Sequence, residues 1–201
     1  MQTNTYEGLH IINNSQSIKM DELVVEAPLQ ININSKAYSV VMRTPNNDKD
    51  LVFGLLYAED IYKNSSSIPL EVIKEEYGIP SIINVTIPTN VLGKGYLNKR
   101  TLLSVSSCGI CGKQQLEDLK VSGDKIVKKV SSASLLHMFG TLQKHQDTFK
   151  KTGGSHAAGI FDKKFQLLTI REDIGRHNAV DKCVGSLLLK DHLKNGMYLL
   201  V

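Results

Sequence analysis

A chain of 201 residues, 41% hydrophobic and 22% charged, can bury one sizeable core or two small ones without metal or disulfide staples. Met1 to Lys19 is polar and rich in Asn and Ser, with no apolar run fit for a signal peptide or a membrane span, so a cytosolic address is expected. Three cysteines, Cys108, Cys111 and Cys183, are too few and too odd in number for a secreted disulfide framework, which leaves their chemistry catalytic, metal-binding or nil.

The net charge of +4 is unevenly spread. Residues 1–93 carry six cationic side chains against eleven carboxylates, residues 94–151 eleven against four, and residues 152–201 seven against five. The basic excess surrounds the Cys108/Cys111 pair and favours an anionic ligand or partner. Nucleic acid is not expected, because the basic segment has no interleaved aromatics and no RNP, zinc-finger or helix-turn-helix pattern.

After the polar leader, Gln30 to Asn34 alternates strictly and Tyr38 to Met42 is β-rich, which predicts a hairpin. Asn46-Asn47-Asp48 offers caps for a helix whose apolar stripe is Leu51, Val52, Leu55, Leu56 and Ala58. Asn64 to Ser67 marks a loop, and strands are expected over Leu70–Lys74 and Ile82–Ile87. Gly93-Lys94-Gly95 reads as a linker or hinge before a strand over Thr101–Val105, which runs into Cys108-Gly109-Ile110-Cys111-Gly112. A helix should begin near Lys113, immediately after that motif.

A long amphipathic helix is expected from Ser132 to Lys150, burying Leu135, Leu136, Phe139, Leu142 and Phe149 and ending at Gly153-Gly154. Strands follow over His156–Phe161 and Phe165–Ile170, then a helix from Gly175 to Lys190 and a strand from Met197, within which the chain stops. The fold class is α/β (α+β overall): a β-rich N-terminal subdomain over residues 1–100, then an α/β layered subdomain over 101–201 whose ligands gather at strand carboxyl ends.

Three clusters carry chemistry. Cys108-x-x-Cys111 alone supports half of a zinc site, a redox dithiol or a sulfur-carrying thiol. Zinc needs a second ligand pair that the chain does not obviously supply, and a thioredoxin-like dithiol would sit in an early βαβ unit. Sulfur carriage needs an accessible thiolate, and a following helix N-terminus with basic neighbours lowers a thiol pKa. Gly109 and Gly112 leave the backbone bare beside each sulfur, or simply allow a tight turn.

The second cluster is Thr152-Gly153-Gly154-Ser155-His156-Ala157-Ala158, and the third runs from Arg171 through Asp173, Arg176, His177 and Asn178 to Asp181 and Lys182. The third is too polar for a plain helix cap, and an anion held at a helix N-terminus by Arg176 and His177 is the functional reading. His156 beside a CxxC invites comparison with zinc deaminases, but Ala158 stands where their glutamate belongs and Ser107 replaces the proline. Cys183 lies in the apolar helical run Ala179–Leu189 and is expected buried.

Together these motifs resemble the formate dehydrogenase accessory sulfurtransferase (FdhD) family. The resemblance runs from Glu26-Ala-Pro-Leu29 through Met42-Arg-Thr-Pro45, Leu51–Asp60 and Ser107–Gly112 to Thr152–Ala158 and Glu172–Lys182. It implies that a cysteine desulfurase loads sulfur as a persulfide on Cys108, assisted by Cys111. It further implies delivery to the molybdenum bis(molybdopterin guanine dinucleotide) cofactor of formate dehydrogenase, held by Gly153, Gly154, His156, Asp173, Arg176, His177 and Asn178, with a guanine nucleotide as mimic. A homodimer and a relative of the cytidine deaminase fold are implied as well. Family members continue past the strand at Met197 with a motif that helps hold the cofactor. The rival readings are a non-catalytic cofactor-binding chaperone of the apo-dehydrogenase and a zinc-binding structural module.

Overall fold

The computed structural model describes residues 2–66, 68–97 and 129–201. Cys108 and Cys111, the strand expected over 101–105 and the helix expected to begin near Lys113 lie outside the described residues.

The polar leader is a hairpin instead. Strands β1 (Thr3–Ile12) and β2 (Ser15–Val24) pair antiparallel around Asn13 and Asn14, whose φ angles of 48° and 65° make a turn that matches strand twist and that asparagine tolerates. Polar composition concealed the β-branched and aromatic residues Thr3, Thr5, Tyr6, Ile11, Ile12 and Ile18 that suit extended backbone.

The second hairpin, β3 (Ala27–Ile33) and β4 (Lys36–Arg43), is the one the alternation predicts. Beside it lies β6 (Ile79–Val85), parallel to β3, and then β5 (Leu70–Glu76), giving the order β4-β3-β6-β5. Helix α1 (Asp48–Ala58) packs on this sheet, joining Leu51, Val52, Leu55 and Leu56 to Leu29, Ile31, Ile33, Ile83 and Val85 in one core; Ala58, expected on the stripe, is exposed. Asn47 caps the helix through its backbone carbonyl only, while Asp48 is taken by Arg43.

Gly93 to Gly95 is not a hinge. The Gly93 and Gly95 N–H groups donate to the carbonyls of Ile61 and Asp60, and a Cβ on either glycine would fall 2.0 Å and 1.7 Å from the Asp60 and Glu59 oxygens respectively. These glycines allow backbone to touch backbone rather than supply flexibility.

The single helix expected over Ser132–Lys150 is two, α2 (Ser132–Lys144) and α3 (Asp147–Thr152). The Glu172 carboxylate accepts the N–H groups of Thr148 and Phe149 at 2.8 Å each, so the second helix starts on a foreign cap instead of continuing the first. The expected buried side is also mostly wrong. Leu142 is buried together with Met138, whereas Leu135, Leu136, Phe139 and Phe149 face solvent.

Strands β7 (His156–Phe161), β8 (Leu167–Asp173) and β9 (Tyr198–Leu200) form an antiparallel sheet in the order β8-β7-β9. Its alternation divides it between two helices: Ala157 and Phe161 pack with α2, while Ala158 and Ile160 pack with α4 (Arg176–Leu188). The mixed α/β architecture is therefore as read, but these three strands lack the parallel order in which carboxyl ends converge. Helices α1 and α4 cross at two glycines. A Cβ on Gly54 would sit 1.8 Å from the Asp181 carbonyl oxygen, and one on Gly185 would sit 1.9 Å from that of Asp50. No helix among the described residues is long and apolar enough to cross a membrane.

Candidate functional site

The register of β7 on β8 sets His156 opposite Asp173 and Ala157 opposite Glu172. The start of β7, the end of β8 and the first turn of α4 therefore meet at one end of the sheet, and the second and third sequence clusters, 152–158 and 171–182, become one place. Glu172 ties them further, its carboxylate accepting the Ser155 hydroxyl at 3.0 Å as well as the first N–H groups of α3. Gly153 closes α3 in the left-handed conformation, with φ 64° and its N–H on the Phe149 carbonyl.

The named residues then separate by direction. Gly153, Gly154, His156 and Arg176 are exposed and His177 is half-buried: Arg176 and His177 stand in the first turn of α4, His156 at the start of β7, and the two glycines at the end of α3. Asp173 and Asn178 point inward. Asp173 accepts from the Gly175 N–H, the Thr44 N–H and the Asn178 amide, and pairs with the Lys182 ammonium at 2.6 Å. Asn178 also donates to the Met42 carbonyl, and Lys182 to that of Thr44. Burial pushes the Lys182 pKa down and the Asp173 charge pulls it back up.

This inward network includes residues the sequence reading did not name as site-forming. Thr44 bridges the two halves three times, with its N–H to Asp173, its hydroxyl from Ile174 N–H and its carbonyl from Lys182. Arg43 makes a bidentate pair with Asp48 and donates to the Ala27 and Pro80 carbonyls, fully buried. The available signals were an arginine at the end of an apolar strand and Lys182 inside an apolar helical run. A charge in such a place stays only if it is paired.

Cys183 is fully buried and its thiol donates to the Ala158 carbonyl at 3.0 Å. Burial pushes its pKa up to about 12, so it is a neutral thiol at physiological pH. Among the described residues, no three His, Cys, Asp or Glu side chains are gathered as a metal site. A cleft of about 490 Å³ lies at the other end of α4, between Tyr57, Lys63, Leu188, Asp191 and Lys194, away from the polar end described above.

Residues 24–201 match the model of the FdhD/NarQ family. A sulfur carrier protein FdhD from Sulfolobus acidocaldarius is 38% identical over 173 residues, covering 86% of this chain and 64% of its own length. The proteins of the same name from Picrophilus torridus and Sulfurisphaera tokodaii are 35% and 32% identical, covering 90% and 100% of this chain. The alignments span 69% and 76% of those two relatives. Among solved structures, a candidate formate dehydrogenase accessory protein from Desulfotalea psychrophila superposes with a TM-score of 0.72 at 19% identity, covering 99% of this chain and 74% of that one.

Proposed function

The chain belongs to the FdhD/NarQ family, and from that premise we propose that it is a cytoplasmic sulfur carrier that activates a formate dehydrogenase. The observation that carries the reading is the family match over residues 24–201, which spans the CxxC and both polar clusters. The placement of His156, Arg176 and His177 at one end of the C-terminal sheet supports it, because an anionic cofactor needs a convergence of donors; Gly153 and Gly154, whose N–H groups are taken by Phe149 and Thr152, would offer close backbone approach instead.

In this proposal the Cys108 thiolate attacks the terminal sulfur of a persulfide on a cysteine desulfurase. The desulfurase thiolate leaves and Cys108 becomes the persulfide. The substrate is molybdenum bis(molybdopterin guanine dinucleotide), with Arg176 and His177 receiving its phosphates and a guanine nucleotide able to take its place. The Cys111 thiolate attacks the inner sulfur of Cys108, forming a disulfide and releasing the terminal sulfur as sulfide, which would exchange for an oxygen ligand of the substrate cofactor, that oxygen leaving as water; a dithiol reductant then restores both thiols. Asp173 and Asn178 act from behind, holding the first turn of α4 in place. The working unit is a homodimer.

Incubation with a cysteine desulfurase and cysteine, followed by intact-mass measurement, tests the proposal. One added sulfur is expected, removed by a thiol reductant, lost in Cys108→Ala and kept in Cys183→Ala. Cys111→Ala loads sulfur but fails to turn it over. A wild-type chain that gains no sulfur overturns the carrier reading, and a Cys108→Ala chain that still loads overturns the assignment of the carrier.

A further inference from the structure

The hairpin β1-β2 lies almost wholly outside the residues that match the family, and it is built unlike the rest of the molecule. Among the described residues it is held at its base: Val24 lies against Gly154, the Thr148 hydroxyl donates to Gln2 Oε1, and Val25 N–H donates to the Gln2 carbonyl. Beyond that base both faces are in solvent. A two-stranded ribbon with both faces wet is marginal in water, so a surface that covers it is needed to hold it.

Its register shows which face wants covering. Leu9 stands opposite Ile18, Met20 opposite Glu7 and Ile11 opposite Gln16, and because alternate residues share a face, Leu9, Ile11, Ile18 and Met20 form one aliphatic patch near the tip. All four are more than half exposed, Ile18 by 70%. Glu7 and Glu22 border the patch on the same face. A contiguous apolar patch rimmed by charge is the mark of an interaction surface.

The matching surface is on the same chain. On α2 the apolar arc that begins with buried Met138 and Leu142 continues into solvent through Leu135, Phe139 and Leu136, the last exposed by 73%. Phe149 of α3 is exposed as well, and Lys144, Lys150 and Lys151 flank this end. The charges are complementary: residues 1–24 hold three carboxylates and one lysine, and residues 129–152 hold four lysines and one carboxylate.

We infer that the N-terminal hairpin is a docking arm whose Leu9/Ile11/Ile18/Met20 face lies on the α2–α3 surface of a second copy of this chain, with its acidic border against the lysines. A strand of 10 residues spans about 33 Å, so one hairpin face offers about 300 Å². Two reciprocal contacts, each counted on both sides, bury about 1,200 Å², which reaches the range of stable assemblies. The inference takes its choice of partner from the homodimer reading and adds the surface that makes it.

Analytical ultracentrifugation of the full chain tests both separately, using Leu9→Ser/Ile18→Ser in the arm and Leu136→Ser/Phe139→Ser on the helix. All four positions are exposed within the single chain, so the variants are expected to fold, with the circular dichroism of the core kept and a melting temperature no higher than wild type, because losing the dimer uncovers the arm. The wild type is expected to be a dimer, and each variant alone to dissociate with a constant raised by about 100-fold or more. An equimolar mixture of the two variants recovers part of the dimer, because one arm-to-helix contact is intact in the mixed pair. A monomeric wild type overturns the homodimer reading and this inference with it. A dimeric wild type whose variants stay dimeric, or a mixture that recovers nothing, overturns the arm alone.

Discussion

A cysteine in a chain of the FdhD/NarQ family invites a chemical role, and at position 183 the surroundings deny it. Its thiol is enclosed by Ala158, Ile160, Ala179 and Leu187 and spends its proton on a carbonyl. The pKa is raised from 9.0 to about 12, so the folded state keeps the proton that the unfolded chain releases. The thiol's contribution is therefore fully present below pH 9 and is lost as pH rises toward 12, with a slope of at most about 1.4 kcal/mol per pH unit. Urea unfolding of wild type and Cys183→Ala across this window should show the wild-type advantage shrinking steadily above pH 9. At neutral pH a native-state alkylating reagent should leave Cys183 unlabelled. A pH-independent difference between the two proteins would mean the thiol is more open than its burial states.

Glycines give the elements their most discriminating test. At the crossing of α1 and α4, Gly54 and Gly185 let two backbones approach closer than any side chain permits. Gly54→Ala drives a methyl into the Asp181 carbonyl, and with backbone on both sides the helices must separate, at a cost of about 3 kcal/mol or more. Gly140 in α2 has the same residue type in the same kind of element, yet nothing lies within 4 Å of the position a Cβ would take. Gly140→Ala should stabilise by about 0.5–1 kcal/mol, through helix propensity and a less flexible unfolded chain. Thermal melts of the two variants should therefore move in opposite directions. The element scale also explains the break after α2: hydrophobic spacing carries on from Leu142 to Phe149, but Glu172, 24 residues downstream of Thr148, supplies a cap that restarts the helix.

For the molecule as a whole, the buried charges matter most as ties between its two halves. Asp173 and Lys182 belong to the C-terminal half, and Thr44 of the N-terminal half donates its N–H to the first and accepts on its carbonyl from the second; Arg171 reaches Asp50 across the same divide at 2.7 Å. Removing one member of a buried pair strands the other. Lys182→Met should thus cost about 3–5 kcal/mol and lower the melting temperature by many degrees, and adding Asp173→Asn should recover part of the loss by removing the orphaned charge. Calorimetry of the single and double variants measures both effects. A Lys182→Met protein as stable as wild type would show that the network adds nothing to the union of the halves.

How much of this was legible follows from what kind of interaction was at stake. The β3-β4 hairpin, α1, β5, β6, β7, β8 and α4 were readable because each is set by periodicity and local breakers, and the burial of Cys183 was readable from the apolar run around it. Composition misled at the N-terminus, where asparagines and serines disguised a ribbon whose register alone brings Leu9, Ile11, Ile18 and Met20 together. The sequence by itself determined most of the elements, the family and the identity of the polar clusters, because those depend on neighbours within a few residues or on a pattern of residue types. Only the tertiary structure decided that Asp173, Asn178 and Lys182 turn inward while Arg176 and His156 face out. It likewise decided that Gly93 and Gly95 are points of backbone contact and that the Leu135–Phe139 side of α2 is open. Each of those outcomes depends on a partner far along the chain, such as Thr44 for Asp173 or Asp60 for Gly95, and long-range partners leave no mark on local spacing.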